Sequence, residues 1–163
     1  MGQVIKSETN AKAIGCMGET LFAFRAMQEG LIVSQPMGDN SPYDFLVDNG
    51  DDILKVQIKS SGWNENEGTQ RSPKYGFTLK HSQKNTTYDS DDVDFFGLVV
   101  LPIQEIWIVP QKALDGVTKA NVWPFNNSNG AMADYRDQWI LLKSYTEYTV
   151  AAAVEECPQV SFL

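Results

Sequence analysis

Residues 38–61 read G-D-N-S-P-Y-D-F-L-V-D-N-G-D-D-I-L-K-V-Q-I-K-S-S. Two short apolar runs flank the turn residues Asn49-Gly50-Asp51-Asp52, the short-range signature of a β-hairpin. Asp44 stands at the head of the first strand. In the second, Lys55, Gln57 and Lys59 alternate with Val56 and Ile58. Strand side chains alternate between faces, so the β-branched pair can enter a core while the three polar ones point the other way. Antiparallel pairing through a tight turn would bring Asp44 beside Gln57 and Lys59. A carboxylate, an amide and an ammonium on one small site form a metal-plus-anion constellation.

The remainder of the chain sets the frame for that hairpin. A length of 163 residues predicts one domain with a sizeable core, spanning 1–163. A hydrophobic fraction of 42% with 11% aromatics fits a folded protein and argues against disorder. The longest apolar run, Phe95 to Ile103, is too short to span a bilayer and contains Gly97 and Pro102. The first ten residues hold no apolar signal core. No membrane partner is therefore expected, and Cys16 and Cys157, with neither metal-site spacing nor a disulfide framework, predict a reducing, cytoplasmic setting.

A net charge of −8 argues at first against a nucleic-acid partner. The distribution reverses that inference locally. Residues 55–84 carry six basic side chains (Lys55, Lys59, Arg71, Lys74, Lys80, Lys84) against Glu65 and Glu67, while both flanking regions are acidic. This basic block begins within the hairpin. It is either a solvated lysine-bearing face or a phosphate-contacting one.

In chain order, Ser7 or Thr9-Asn10 caps a helix that runs to about Glu29 and stops at Gly30. Ile14, Met17, Leu21 and Phe24 form its expected buried stripe. Glu19 lies off that stripe, beside Gly18 and near Gly15, so it either faces water or looks into a site. Strands are expected at Leu31–Ser34, in the hairpin, at Tyr75–Leu79, at Phe95–Leu101, at Ile106–Val109 and at Ala120–Trp123. Ser60 to Pro73 and His81 to Asp92 read as loops, 126–130 as a linker, and Asp134 to Leu142 as a short helix. The uninterrupted apolar run from Phe95 predicts a strand covered on both faces. The arrangement calls for a layered α/β or α+β domain.

A hard divalent cation is held through oxygen, by one or two carboxylates completed by water and substrate phosphate. Asp44 offers a carboxylate, Gln57 a neutral carbonyl, and Glu19 a second carboxylate. Protonated Lys59 cannot bind a metal, but it can steady a phosphate oxygen or an attacking water. Metal, water and cation together describe phosphodiester hydrolysis. In the basic block, Trp63, Arg71, Lys74, Lys80 and His81 can line DNA, with Trp63 wedging or stacking. His81, the sole histidine, reads first as a surface residue, and the run Asp89 to Asp94 as a solvated turn.

Gly18-Glu19, then Gly38-Asp39-Asn40-Ser41-Pro42-Tyr43-Asp44, then Val56-Gln57-Ile58-Lys59-Ser60 resemble the PD-(D/E)XK nuclease superfamily. The closer resemblance is to the branch containing a cyanobacterial group I intron-encoded homing endonuclease, with G-D-N-x-P-Y-D followed by V-Q-x-K. Tyr88 and Asp92-Val93-Asp94-Phe95-Phe96 also resemble a later family segment. The likeness covers about residues 12–110. It implies a restriction-endonuclease-like α/β fold with a mixed central β-sheet flanked by α-helices, its core at about 8–115 and a C-terminal elaboration at about 116–163. It also implies Mg²⁺-dependent cleavage of double-stranded DNA, with Mn²⁺ as a substitute. Asp44, Gln57 and Glu19 would hold the metal, Gln57 replacing the usual second acid, and Lys59 would be the catalytic cation. The same reading extends the DNA-binding set to Lys55, Ser60, Ser61 and Lys84.

Three functions follow. The first is a homing- or restriction-type endonuclease, with Holliday-junction resolution ranked below it within the same class. It is expected to be a homo-oligomer (dimer or tetramer), because one active site per chain must serve two strands. The second is a non-cleaving DNA-binding module in which the Gln57 site has lost productive metal binding. The third is a protein-interaction domain using the acidic surface.

Overall fold

The computed structural model describes residues 10–38, 40–81, 86–126 and 132–144. In chain order the elements are α1 (Ala11–Gln28), β1 (Ile32–Ser34), β2 (Phe45–Asp48), β3 (Ile53–Ser61), β4 (Tyr75–Thr78), β5 (Phe95–Val100), β6 (Glu105–Pro110), β7 (Lys119–Val122) and α2 (Ile140–Lys143).

Helix α1 begins where Asn10 Oδ1 accepts the Ala13 amide at 2.8 Å and ends before Gly30, whose φ of 83° suits glycine. Ser7 and Thr9 lie outside the described residues. The buried stripe keeps Ile14 of the expected one, with Leu21 partly buried beside it, but then departs from it. It is Ile14, Gly18, Phe22 and Ala26, while Met17 and Phe24 are 38% and 53% exposed. Close approach decides this. A Cβ at Gly18 would stand 1.7 Å from Ser60 Oγ, so the helix lies on the sheet only with its smallest residue turned inward. Phe22, one turn further on, then reaches Phe45 at a ring separation of 5.8 Å and fills the space left by Gly97. Burying a side chain of this size stabilises by roughly 1.5–3 kcal/mol.

The main sheet has the order β1-β2-β3-β5-β6. Its pairings are antiparallel except β3 with β5, which run parallel, so the sheet is mixed. The hairpin forms in the expected register, with Phe45 opposite Val56 and Asp48 opposite Ile53. Its turn is held by side chains: Asn49 Oδ1 accepts the Asp51 and Asp52 amides, and Asp48 Oδ1 accepts the Gly50 amide. Asn49 Nδ2 also donates to Leu142 O at 2.8 Å, tying the turn to α2. All six residues of β5 are buried, as expected for a strand covered on both faces.

Gly97, Ile58, Val99 and Ser60 face α1. The opposite face carries Phe96, Leu98 and Val100 from β5 and Gln57, Lys59 and Ser61 from β3. The ribbon β4–β7 contributes Tyr75, Phe77, Ala120 and Val122 to the same core cluster as β5.

Two further expectations are corrected. Strand β3 continues through Ser60 and Ser61, because parallel pairing to Val99 and Val100 extends it past the hairpin. Residues 134–142 do not form one helix. A 3₁₀ turn at Ala133–Tyr135 is followed by Asp137 at φ 56°, and α2 starts only at Ile140. There Arg136 bridges to Trp107 and the Asp137 amide donates to Ile106 O at 2.9 Å, so this backbone runs beside β6 rather than coiling.

Candidate active site

Asp44 sits one residue before β2, and its amide donates to Val56 O at 3.0 Å, continuing the ladder by one pair. This places its carboxylate beside Gln57. Asp44 Oδ2 accepts the Ile58 amide and Gln57 Nε2, each at 2.7 Å. Gln57 is 9% exposed and two residues before Lys59 on the same strand face. Lys59 Nζ donates to Tyr88 Oη at 3.0 Å. Glu19, Asp44, Gln57 and Lys59 line one cleft of about 550 Å³, with Asn40, Pro42 and Tyr43 of the G-D-N-S-P-Y-D run along its wall. The sequence-derived quartet is therefore assembled in one place.

The electrostatics are those of a site short of positive charge. Burial raises the pKa of Glu19, and the Asp44 charge adds to the rise. Burial also raises Asp44, against the opposing pull of the Ile58 amide, Lys59 and Gln57. Lys59 is lowered by burial, with Asp44 resisting. Two desolvated carboxylates repel each other across the cleft, and a cation between them relieves both. The donor set fits a hard ion. Among the described residues both side-chain hydrogen bonds to Asp44 fall on Oδ2, which leaves Oδ1, and Gln57 turns its N–H toward Asp44, which leaves its carbonyl oxygen. The oxygen donors Asp44, Gln57 and Glu19 suit a hard divalent ion, although among the described residues no group of three or more His, Cys, Asp or Glu converges.

Three cleft residues were not expected at the catalytic centre, although His81 was a candidate for lining DNA. Tyr88 is buried beneath Lys59, and His81 stacks on it with ring centroids 3.8 Å apart. Asp92 Oδ2 lies 2.9 Å from His81 Nε2. All three line the cleft, so His81 is not a plain surface residue and Asp92 is not part of a merely solvated turn. Tyr88 and the Asp92 run had drawn notice only as a resembling segment. They join the site through the β3–β5 pairing, and no local pattern reports that contact.

The basic block is divided. Ser60 Oγ is buried against Gly18 of α1, and Ser61 is 4% exposed, so neither side chain is presented to a DNA surface. Lys55 Nζ donates to Asp91 O at 2.6 Å. Glu65 holds Lys74 and Lys119, each at 3.0 Å, and Lys74 also lies 6.0 Å from the centre of the Trp123 ring. Trp63 is 60% exposed and Arg71 is exposed, whereas Lys80 is half-buried. Lys84 lies outside the described residues, as does Asp39 of the motif.

A profile of the PD-(D/E)XK endonucleases matches residues 9–142. The chain belongs to this family of nucleases. Among solved structures, the bacterial homing endonuclease I-Ssp6803I matches with a TM-score of 0.69 at 23% identity, over 90% of this chain and 98% of that one. Likeness at that identity establishes the fold, which is the expected restriction-endonuclease-like one. No curated protein matches the chain. Membership gives the cleft its context: PD-(D/E)XK nucleases typically use divalent metal ions, and oxygen donors are what the cleft offers. No helix among the described residues is long and apolar enough to cross a membrane.

Proposed function

We propose that this chain is a Mg²⁺-dependent endonuclease that hydrolyses phosphodiester bonds of double-stranded DNA, of the homing or restriction type, and acts as one endonuclease-like domain over 1–163. The observation that carries the proposal is the Asp44–Gln57 pair at 2.7 Å, with Glu19 and Lys59 lining the same cleft. Family membership supports the chemistry, and the homing-endonuclease neighbour supports the type.

Asp44 Oδ1, the Gln57 carbonyl and Glu19 would hold the ion, with Mn²⁺ able to replace Mg²⁺. When bound, the ion supplies Lewis-acid polarisation of the scissile phosphate. The remaining work belongs to the protein. Lys59 directs its ammonium at the phosphate oxygen that gains charge and at the incoming water, with the Asp44 charge favouring its protonated form. The Ile58 amide and Gln57 fix the Asp44 carboxylate, so its second oxygen is preoriented. Exposed Trp63 and Arg71, with half-buried Lys74 beside Glu65, would meet the duplex flanks. Cutting both strands calls for two copies of the site, hence a homo-oligomer.

The test is incubation with long randomised duplex DNA in Mg²⁺ or EDTA, with end sequencing, beside Asp44→Ala and Lys59→Ala. Metal-dependent ends lost in both variants support the proposal. DNA binding without ends would instead favour a non-cleaving module, and preference for four-way junctions a resolvase. Ends that persist in EDTA or in Lys59→Ala would sink it.

A further inference from the structure

Lys59 carries the proposed catalytic charge, yet a lysine side chain has four rotatable bonds and does not hold a position unaided. Asp44 attracts it from the hairpin side. The structure supplies a second support from another part of the chain. Tyr88 Oη accepts a hydrogen bond from Nζ at 3.0 Å, and Nζ lies 5.0 Å from the ring centre.

Tyr88 is itself held on every side. Phe96 meets its ring edge-on, with centroids 5.4 Å apart and planes at 83°. His81 covers it at 3.8 Å with planes at 29°. Its backbone carbonyl accepts Nε2 of Gln111, which is 4% exposed. His81 is oriented in turn by Asp92, and its amide donates to Thr86 O at 2.9 Å. None of these groups is used as a metal donor, and each leads to the next.

We infer that Tyr88 is a positioning residue for Lys59, and that His81, aligned by Asp92, is the plate that keeps the Tyr88 ring in the required plane. This rests on the role given to Lys59 above. The phenol suits the task because burial, with Asp44 and Asp92 nearby, raises its pKa to about 12. It stays neutral over the working range and offers an oxygen without competing for the ion. Stacking geometry, not proton transfer, is the contribution of His81.

Two readouts test this. In the cleavage assay, Tyr88→Phe keeps the ring and loses the hydroxyl, so kcat falls about tenfold or more while KM for DNA stays unchanged, as misplacement of a reacting group predicts. His81→Ala falls similarly, whereas His81→Phe, which restores a stacking ring, stays within about threefold of wild type. Independently of cleavage, the ¹³Cε resonance of Lys59 in the free protein is expected to carry a ring-current shift. It should move toward free lysine in Tyr88→Phe and His81→Ala and stay put in His81→Phe. Wild-type kcat or an unmoved resonance in Tyr88→Phe overturns the inference. His81→Phe as inactive as His81→Ala would overturn the stacking role of His81, because a ring in that place would then not suffice to hold Tyr88. Unimpaired cleavage by Lys59→Ala would instead refute the role of Lys59, and the resonance would still report whether Tyr88 holds it.

Discussion

Gln57 gives its side-chain hydrogen to the same Asp44 oxygen that receives the Ile58 amide. A residue that donates here orients Asp44 without adding charge. A glutamate, the commoner partner in this superfamily's motif, has no hydrogen to give in its ionised form. The substitution therefore changes how the site is held together as well as its charge.

Gln57→Glu should follow from that relationship. Without metal it sets a third carboxylate against Asp44 and Glu19, and melting at pH 7 should fall by several degrees, about 2–4 °C per kcal/mol for a chain of this size. Mg²⁺ should restore most of the loss, and half-maximal cleavage should need less Mg²⁺ than in wild type. Melting curves with and without Mg²⁺, together with a metal titration of cleavage, check both halves. Equal melting temperatures without metal would contradict the argument.

Glu19→Gln should raise stability. The Glu19 pKa is raised by burial and by Asp44. A raised carboxyl pKa gives stability that is present below the unfolded value and lost as pH rises through the folded one. Wild type and variant should therefore melt together near pH 3.5. They should separate as pH rises toward 7, the variant melting higher by up to a few degrees. The same variant should lose Mg²⁺-induced stabilisation and slow in cleavage. A gap that narrows with rising pH would contradict the sign.

Gly18→Ala and Ser60→Ala should move in opposite directions. A methyl at Gly18 meets both Oγ and Cβ of Ser60, at 1.7 and 2.8 Å, so α1 must lift from the sheet. Overpacking of this kind destabilises by about 1–3 kcal/mol. Ser60 Oγ is buried without a hydrogen-bond partner among the described residues, so removing it should leave stability unchanged or higher. Urea unfolding of each variant distinguishes them.

Glu65→Gln should tighten DNA binding. The Glu65 carboxylate holds the ammonium groups of Lys119 and Lys74, which also lower its pKa. Releasing two cations to phosphate should steepen the dependence of log K on log salt by about one to two units, with a gain in affinity at low salt. Fluorescence anisotropy on duplex DNA across a salt series measures this, and an unchanged slope would place these lysines away from the DNA.

The hairpin and its site were legible because they depend on local periodicity. Val56 and Ile58 alternate with Gln57 and Lys59, and four turn residues fix the register that brings Asp44 to Gln57. Resemblance of the same run to a nuclease family then gave each residue an expected role. What stayed hidden involved surfaces between distant elements. Hydrophobicity alone favours Met17 and Phe24 on the buried stripe of α1, whereas the contact is set by the absence of a side chain at Gly18. Ser60 looked like a polar companion to Lys59, but alternation turns it to the helix. His81, Tyr88 and Asp92 carry no spacing that links them to Lys59. Only the parallel alignment of Val56 with Phe95 brings their segment alongside.

That parallel alignment has a consequence for the order in which competence appears. The Asp44–Gln57 contact closes across four turn residues, so it can form in the nascent hairpin. The strand beside it must first cross more than thirty residues from Ser61 to Phe95, a far slower closure. We expect pulse-labelled hydrogen exchange to protect the Ile58 amide well before the β5 amides. The hairpin thus brings Asp44 and Gln57 together early, while Lys59 gains its Tyr88 support only once the segment leading into β5 has docked. A chain stalled on the way to the native state would hold the Asp44–Gln57 pair without the Tyr88 support for Lys59, so the two halves of the cleft are acquired at different stages of folding.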